Sequence, residues 1–287
     1  ALSSAASDVY KRQVLCVVAA MLDSNVKRRK EIEALTAIPV YGELPRKLRK
    51  LKNQEIVVNL EEPSELSECF PLLAERMVAL SDENAGKPLS VLITSTCSGE
   101  GKTYLSVNLA LSLAVAGKKV LLMDMDLRKG SLSSLLGGAG KPGIGDLEQA
   151  GEGGWRSLVE QSPVSAHLDY LFAGTLPDHP SRLLLHDRIR KLMEELKEQY
   201  DFIFMDCVPY SSLADAHIVA RLADVTLYVM RAGCVKKRDL AGLQKIWKNG
   251  ELKRMGIVLC DVEPHGRSSR GYAVYRSLDT SSPCAEK

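Results

Sequence analysis

The sequence lacks the cysteine spacing of disulfide-rich and zinc-binding proteins, and it lacks a strong excess of charge of either sign. Its seven cysteines are an odd number, lie far apart and include no C-x-x-C pair. This pattern argues against a disulfide framework or a zinc site and favours a reducing compartment. The net charge is only +2, so we expect no nucleic acid as a partner.

The start of the chain lacks both an initiator methionine and an apolar run long enough to span a bilayer. Residues 8–13 resemble the translation of a sequencing adapter, so we expect residues 1–13 to be a non-native leader. The apolar run at 14–22 is shorter than the roughly 20 residues of a membrane span. Basic residues at 27–30 follow it, as they follow the cytoplasmic end of a span. We therefore expect the stump of a transmembrane helix at 14–22.

Residues 23–60 are rich in lysine and arginine, and we expect them to form a basic juxtamembrane linker. Their charges fit either an anionic lipid surface or a solvated segment.

The rest of the chain contains short apolar runs of strand length that alternate with helical patterns. Strands are predicted at 89–94, 119–124, 168–173, 201–206, 225–230 and 255–260, and helices at 103–116 and 183–200. Continuous apolar strands that alternate with helices predict a parallel sheet covered on both faces. We predict a doubly wound, mostly parallel α/β domain at 61–264, followed by a flexible tail at 265–287.

The clearest motif is a glycine-rich loop between the first predicted strand and the first predicted helix. Residues 99–103 read G-E-G-K-T, in the strand–loop–helix context of a P-loop. In such a loop backbone N–H groups face phosphate oxygens, Lys102 neutralises the β- and γ-phosphates, and the Thr103 hydroxyl binds Mg²⁺. The full Walker A pattern has glycine at position 96, where this chain has Thr96.

Two later predicted strands end in acidic residues. Asp124 and Asp126 come at the end of one strand, and Asp206 ends another. A spacing of two on an extended chain points both carboxylates the same way, toward the crevice where α/β sheets bind ligands. Asp206 is the Walker B candidate for holding Mg²⁺. Together with the P-loop, these positions predict a nucleoside triphosphate site.

The D-x-D-x-R pattern at 124–128 is typical of the MinD/ParA-like (deviant Walker) group of P-loop NTPases. Positioning ATPases of that group carry a signature lysine in the P-loop where this chain has Cys97, which disfavours that identity. The chain instead resembles the bacterial tyrosine kinases (BY-kinases), the cytoplasmic partners of polysaccharide co-polymerases. The resemblance begins at residue 14 and rests on segments that occur in the family's order: 30–42, 94–110, 121–129, 174–181, 201–209, 214–216 and 229–233.

This resemblance implies ATP and Mg²⁺ as cofactors and a role for each site residue. The nucleotide contacts it implies come from the P-loop and one arginine: Ser98, Gly99, Glu100, Gly101, Lys102, Thr103, Tyr104 and Arg128. The implied metal ligands are Thr103, Asp124 and Asp206, and the implied catalytic residues are Lys102, Asp124 and Asp126. One of the last two carboxylates assists deprotonation of a tyrosine hydroxyl. The role of Arg128 stays open between a phosphate contact and a pair with an acidic neighbour.

The resemblance also implies an ATP-dependent protein-tyrosine autokinase that regulates export or chain length of a capsular or extracellular polysaccharide. Such a kinase lies on the cytoplasmic face of the bacterial inner membrane. Its implied partners are its own tail or a neighbouring subunit of a homo-oligomer, the membrane and the co-polymerase part of the same longer chain. The implied phospho-acceptors are Tyr272 and Tyr275 in the tail.

The sequence departs from the family where a helix carries E-x-x-R-x-x-R for ring assembly. Glu68 is present, but Pro71 and Ala74 stand at the arginine positions. We expect a proline only in the first turn of a helix, and ring assembly by this route is in doubt. Cys260 stands where the family often has asparagine near the adenine.

These departures leave two other functions open. One is a non-catalytic ATP-binding regulatory module of a polysaccharide chain-length determinant. The other, which Cys97 disfavours, is a ParA/MinD-like positioning ATPase.

Overall fold

The computed structural model describes residues 24–46, 56–58, 65–151, 153–211 and 213–263. Four predictions lie outside these residues: the leader at 1–13, the helix stump at 14–22, the tail at 265–287 and its acceptors Tyr272 and Tyr275.

Eight strands alternate with helices along the described part of the chain. The strands are β1 Val40–Pro45, β2 Leu89–Ser95, β3 Val120–Asp124, β4 Val159–Gln161, β5 Leu168–Leu171, β6 Phe202–Asp206, β7 Val225–Arg231 and β8 Met255–Val262. The α-helices are α1 Arg29–Leu35, α2 Glu65–Asp82, α3 Lys102–Val115, α4 Ser131–Leu135, α5 Leu147–Ala150, α6 Pro180–Leu184, α7 Asp187–Lys197, α8 Ala214–Ala220 and α9 Leu240–Lys248. Short 3₁₀ turns lie at Ile144–Asp146, Gly154–Ser157 and Lys237–Asp239.

All eight strands form one sheet in the order β1-β8-β7-β2-β6-β3-β5-β4. Every neighbouring pair is parallel except β4 and β5. The prediction of a doubly wound, mostly parallel sheet is therefore confirmed. Strand β2 lies between β6 and β7 and runs parallel to both. The loop that follows β2 therefore opens at the carboxyl edge of the sheet, between these two neighbours.

The sheet separates two hydrophobic cores because successive strand residues point to opposite faces. Leu92, for example, joins the core on one face, whereas Val91 and Ile93 join the other. Helices α2 and α3 cover the second face, and α7, α8 and α9 cover the first. Among the described residues, no helix combines the length and the apolar composition needed to cross a bilayer.

The sheet extends further toward the N-terminus than the predicted domain boundary at residue 61. Strand β1 and helix α1 come from the segment that is predicted to be a basic linker. In the structure β1 pairs with β8, and Ile32, Ile38 and Leu44 are buried. The prediction missed this because Gly42 and Glu43 interrupt the apolar residues of β1, which leaves little periodic signal.

The predicted helix at 183–200 is two helices rather than one. Helix α6 ends at Leu184, α7 begins at Asp187, and His186 between them is extended. The His186 ring accepts a hydrogen bond from the backbone N–H of Arg188 at 3.2 Å, so it caps α7.

The expectation that Pro71 lies in a first helical turn is wrong. Pro71 lies inside the described helix α2, which begins at Glu65. Its side chain is exposed, while Phe70, Leu73 and Met77 on the other face of the helix are buried. Packing of this apolar face offsets the backbone hydrogen bond that a proline cannot make.

Candidate nucleotide-binding site

A loop at residues 96–101 joins the end of β2 to the start of α3. Gly99 and Gly101 have φ values of 83° and 101°, a left-handed region that a side chain makes unfavourable. The turn at Gly101 starts α3 with no side-chain cap, so the first backbone N–H groups of this helix face the loop. Such a helix start attracts phosphate, because the N–H groups and the helix dipole both favour an anion.

Side chains within the loop hold its shape. The Glu100 carboxylate accepts the backbone N–H of Cys97 at 2.6 Å, and the Ser95 hydroxyl donates to the Cys97 carbonyl at 2.6 Å. Lys102 Nζ donates to Ser95 Oγ at 3.1 Å, which keeps the ammonium group beside the loop. Glu100 is buried, and this burial raises its pKa. The buried carboxylate stabilises the loop through its hydrogen bond with the Cys97 N–H.

Thr96 occupies the position of the first Walker A glycine without a left-handed backbone. Its hydroxyl lies 3.2 Å from the hydroxyl of Tyr228 on β7, and its carbonyl accepts a hydrogen bond from Ser211. These two contacts anchor the loop to neighbouring segments, which explains how the P-loop forms without that glycine.

The acidic side of the site joins α3 to two strand ends. Thr103 Oγ1 donates to Asp206 Oδ2 at 2.7 Å, and Ser106 Oγ donates to Asp206 Oδ1 at 3.1 Å. Asp206 and Asp124 are paired in register at the ends of β6 and β3, and both are buried. The structure thus brings together the three predicted metal ligands, Thr103, Asp124 and Asp206, from three elements.

The two buried carboxylates form an electrostatically unfavourable pair. Burial, followed by the nearby charge of Asp124, raises the pKa of Asp206 to about 7. Burial raises the pKa of Asp124 to about 6. Carboxylate and hydroxyl oxygens are the ligands that Mg²⁺ prefers, and a divalent cation here would relieve the repulsion. The residues present therefore fit a magnesium ion.

Asp126 is not on the strand, contrary to the expected spacing of two residues along an extended chain. Strand β3 ends at Asp124, whose Oδ1 accepts the backbone N–H of Asp126 at 3.1 Å. Asp126 lies in the following turn, where its Oδ1 accepts the N–H groups of Arg128 and Lys129 at 3.3 and 3.1 Å. It is half-buried, whereas Asp124 is inaccessible to solvent. The two carboxylates therefore have different environments despite their closeness in sequence.

Two predicted nucleotide contacts make other interactions in the structure. Arg128 Nε donates to Asp215 Oδ2 at 2.6 Å, which is a pair with an acidic neighbour. The Tyr104 ring lies edge-on to Phe70 of α2, with ring centres 5.9 Å apart, so its side chain is packed against that helix. The other predicted contacts, at Ser98 to Thr103, lie together in the loop and the start of α3.

An arginine that is not among the predicted site residues lies at the outer edge of the loop. Arg231, the last residue of β7, donates to the Gly99 carbonyl at 3.4 Å and pairs with Asp261 at 3.0 Å. Asp261 also accepts from Arg46 at 3.0 Å, so β1 contributes to this edge. Cys260 is buried behind the loop, and its side chain lies 3.8 Å from the place where a Cβ on Gly101 would be.

Asp215 and Ser133 are further site residues that sequence reasoning missed. The segment 214–216 is one of those that resemble the family, but its sequence does not show that Asp215 binds Arg128. Ser133 donates to Asp124 Oδ2 through both its backbone N–H and its hydroxyl, at 2.8 and 2.7 Å. A serine in a short helix gives no sequence signal for such a contact.

The CobQ/CobB/MinD/ParA nucleotide binding domain family matches residues 91–283. The chain is 31% identical over 231 residues to the tyrosine-protein kinase YwqD of Bacillus subtilis, which covers 79% of this chain and 94% of YwqD. The chain belongs to the bacterial tyrosine kinase family. The BceF tyrosine kinase domain has a similar structure, with a TM-score of 0.71 and 27% identity over 83% of this BY-kinase chain and 99% of BceF.

Other relatives of this BY-kinase chain are much longer. It is 30% identical to EpsB of Ralstonia nicotianae over 95% of its own length, but that match spans only 38% of EpsB. The matching family is a nucleotide binding domain whose range includes the loop, and the match confirms the MinD/ParA-like P-loop fold.

Proposed function

We propose that this chain is an ATP- and Mg²⁺-dependent protein-tyrosine kinase. The observation that carries the proposal is the hydrogen bond from Thr103, on the helix after the P-loop, to Asp206. Asp124 lies beside Asp206 at the end of the neighbouring strand. A P-loop alone binds phosphate, whereas a P-loop hydroxyl and two strand-end carboxylates also form a metal site at its edge. The kinase name of YwqD, which this chain matches over most of YwqD's length, supports the reaction type.

The chain's own residues divide the work of phosphoryl transfer, in which positioning and charge neutralisation dominate. The N–H groups at the start of α3 and the Lys102 ammonium bind the phosphates, and the Thr103 hydroxyl and the carboxylates of Asp124 and Asp206 hold the metal. Mg²⁺, when bound there, supplies positive charge that neutralises the phosphates. Asp126 is more accessible to solvent than Asp124, and we assign it the role of accepting the proton from the hydroxyl of the acceptor tyrosine.

The acceptors in this proposal are Tyr272 and Tyr275, on the same chain or on a neighbouring subunit. The kinase works on the cytoplasmic face of the inner membrane, joined to a polysaccharide co-polymerase part of a longer chain. There it regulates export or chain length of a capsular or extracellular polysaccharide. This part of the proposal rests on the ordered sequence segments that resemble the family.

The test is phosphotyrosine formation by the protein with Mg-ATP. Lys102→Met is expected to lower the rate on the order of 100-fold or more, because it removes a cation that stabilises the transferring phosphoryl group. Tyr272→Phe/Tyr275→Phe is expected to abolish the autophosphorylation signal while a peptide tyrosine is still phosphorylated. Lys248→Met, at an exposed position of α9, is the matched control and keeps the wild-type rate.

A regulatory module that binds ATP without phosphorylating tyrosine is the second candidate. One observation favours it: Pro71 and Ala74 replace the expected arginines, and Ala74 is buried in the helix packing. Nucleotide binding without phosphotyrosine, in the same assay, would replace the kinase proposal with this one. ATP hydrolysis stimulated by DNA or membrane would instead identify a positioning ATPase.

A further inference from the structure

Three segments near the site meet at one buried carboxylate, Asp215, in the first turn of α8. Asp215 Oδ2 accepts Arg128 Nε at 2.6 Å. Asp215 Oδ1 accepts the hydroxyl of Ser181, near the start of α6. Both oxygens of one side chain thus bind donors from two other segments.

Burial makes this contact strong. The Asp215 side chain is 2% exposed, whereas that of Arg128 is 41% exposed. Burying a carboxylate is costly unless charged or hydroxyl donors replace the water that it loses. Removing Arg128 would leave the buried Asp215 without its cationic partner, so the structure favours the arrangement in which Arg128 reaches inward to Asp215.

Arg128 belongs to the turn that carries Asp126. Its backbone N–H donates to Asp126 Oδ1 at 3.3 Å, and that of Asp126 donates to Asp124 Oδ1 at 3.1 Å. The turn is thus ordered internally by hydrogen bonds from backbone N–H groups to carboxylates, while the Arg128 side chain fixes it to α8. Because α8 follows β6 and Asp206 in the chain, this contact sets the position of Asp126 relative to the other strand end.

We propose that Asp215, itself held by Ser181, is a positioning residue that through Arg128 holds the turn bearing Asp126 in place for phosphoryl transfer. The proposal rests on the proposed kinase function, because it assigns Asp126 a role in that reaction. Asp215 itself contacts neither the P-loop nor Thr103 in the described contacts. Its loss therefore affects the reaction rate more than the affinity for nucleotide.

The experiment compares Asp215→Asn and Arg128→Met with the wild-type chain. Displacement of the turn is expected to lower kcat about 10- to 100-fold. The dissociation constant for Mg-ATP, measured by fluorescent-nucleotide titration, is expected to stay within about twofold, because the P-loop contacts are kept. Arg128→Lys, which keeps the charge but not the planar donor group, is expected to restore part of kcat.

Asp224→Asn is the matched control for a merely structural effect. Asp224 also accepts from one cation and one serine, Lys197 Nζ at 2.6 Å and Ser90 Oγ at 2.6 Å. It lies at the opposite edge of the sheet, where β2 and β7 begin. Asp224→Asn is expected to lower Tm without changing kcat.

A second comparison tests whether Asp215 and Arg128 act as a unit. The double variant Asp215→Asn/Arg128→Met is expected to lose no more rate than the worse single variant, because both disrupt one contact. Additive losses, or a folded Asp215→Asn with wild-type kcat, would overturn the proposal. Equal changes in kcat and in the dissociation constant for Mg-ATP would also overturn the proposal.

Hydrogen exchange of the backbone amides at 126–130 separates this proposal from the kinase proposal. Asp215→Asn is expected to speed exchange there, and Asp224→Asn is not. If the wild-type chain phosphorylates no tyrosine, the kinase function fails, and the exchange rates alone decide whether Asp215 holds the turn. Unchanged exchange in Asp215→Asn would overturn that role.

Discussion

At the scale of single residues, the carboxylates of Asp124 and Asp206 lie at neighbouring strand ends with almost no exposure to solvent. Burial raises both pKa values, to about 6 for Asp124 and about 7 for Asp206, so each carboxylate ionises less readily here than in water. A site that binds a divalent cation needs both groups ionised. The free protein therefore bears an electrostatic strain that cation binding relieves.

Asp206→Asn is expected to raise the Tm of the nucleotide-free protein at pH 8, although it removes a proposed metal ligand. The pKa of Asp206 is raised from 3.8 to about 7 by burial and by Asp124. The folded state thus binds more protons than the unfolded state between these values, and stability falls as pH rises through this window. For a chain of this size, each kcal/mol shifts Tm by roughly 2–4 °C.

Thermal unfolding of both proteins at pH 8 and pH 5 is the measurement. The difference in Tm is expected to shrink at pH 5, where the folded wild-type protein also carries a neutral Asp206. Asp224→Asn is the control, and its expected change in Tm at pH 8 has the opposite sign. Burial raises the pKa of Asp224, but the hydrogen bonds from Lys197 and Ser90 outweigh burial and hold the pKa below its usual value. A lower Tm for Asp206→Asn at pH 8 would contradict the expectation.

At the scale of elements, the segment before α5 packs its backbone directly on the end of β5. The N–H groups of Ile144 and Gly145 donate to the carbonyls of Phe172 and Ala173 at 2.9 and 2.8 Å. A Cβ on Gly143 would lie 2.1 Å from the Phe172 carbonyl oxygen. The backbone conformation does not require glycine here, because the φ of Gly143 is −170° and suits any residue. Glycine is required because the two backbone segments approach too closely for a side chain.

Gly143→Ala is expected to destabilise the protein by about 3 kcal/mol, because the added methyl group overlaps a backbone carbonyl that cannot move freely. The measurement is the free energy of unfolding in urea. Gly242→Ala is the matched control, since it lies in α9 with no atom within 4 Å of an added Cβ. It is expected to stabilise by about 0.5–1 kcal/mol, as alanine does in a helix. Equal stability of the two variants would refute the packing argument.

At the scale of the whole molecule, β1 is part of the folded unit although it is remote in sequence from the P-loop. It covers the edge of β8, and its end is fixed by Arg46, which pairs with Asp261 and with Glu263 at 2.8 Å. Asp261 in turn pairs with Arg231 beside Gly99. The N-terminal segment is therefore connected to the nucleotide site through neighbouring side chains.

A shortened chain that begins at residue 61 is expected to lose cooperative unfolding, whereas the full chain keeps it. Removing the segment exposes the apolar surface that Ile32, Ile38 and Leu44 cover, at roughly 1.5–3 kcal/mol for each buried side chain. Their sum approaches the total stability of a typical domain, about 5–15 kcal/mol. Urea unfolding followed by circular dichroism is the measurement. The same midpoint for both chains would show that β1 and α1 are dispensable.

The sequence was sufficient for the features whose signals are local. Continuous apolar runs predicted the parallel strands, and G-E-G-K-T between a strand and a helix predicted the P-loop at Lys102 and Thr103. It also predicted Asp124 and Asp206 as strand-end carboxylates, because each closes an unbroken apolar run. Ordered motifs, taken together, predicted the family that the comparisons confirm.

Tertiary structure alone decided which distant residues meet. Arg128 pairs with Asp215, and Pro71 lies within a helix that packs against α3 through Phe70 and Tyr104. Each outcome depends on partners far away in the chain, whose burial and hydrogen bonds outweigh local preference. A sequence pattern records how a segment prefers to fold, whereas the position of a side chain in the site depends on the elements packed around it.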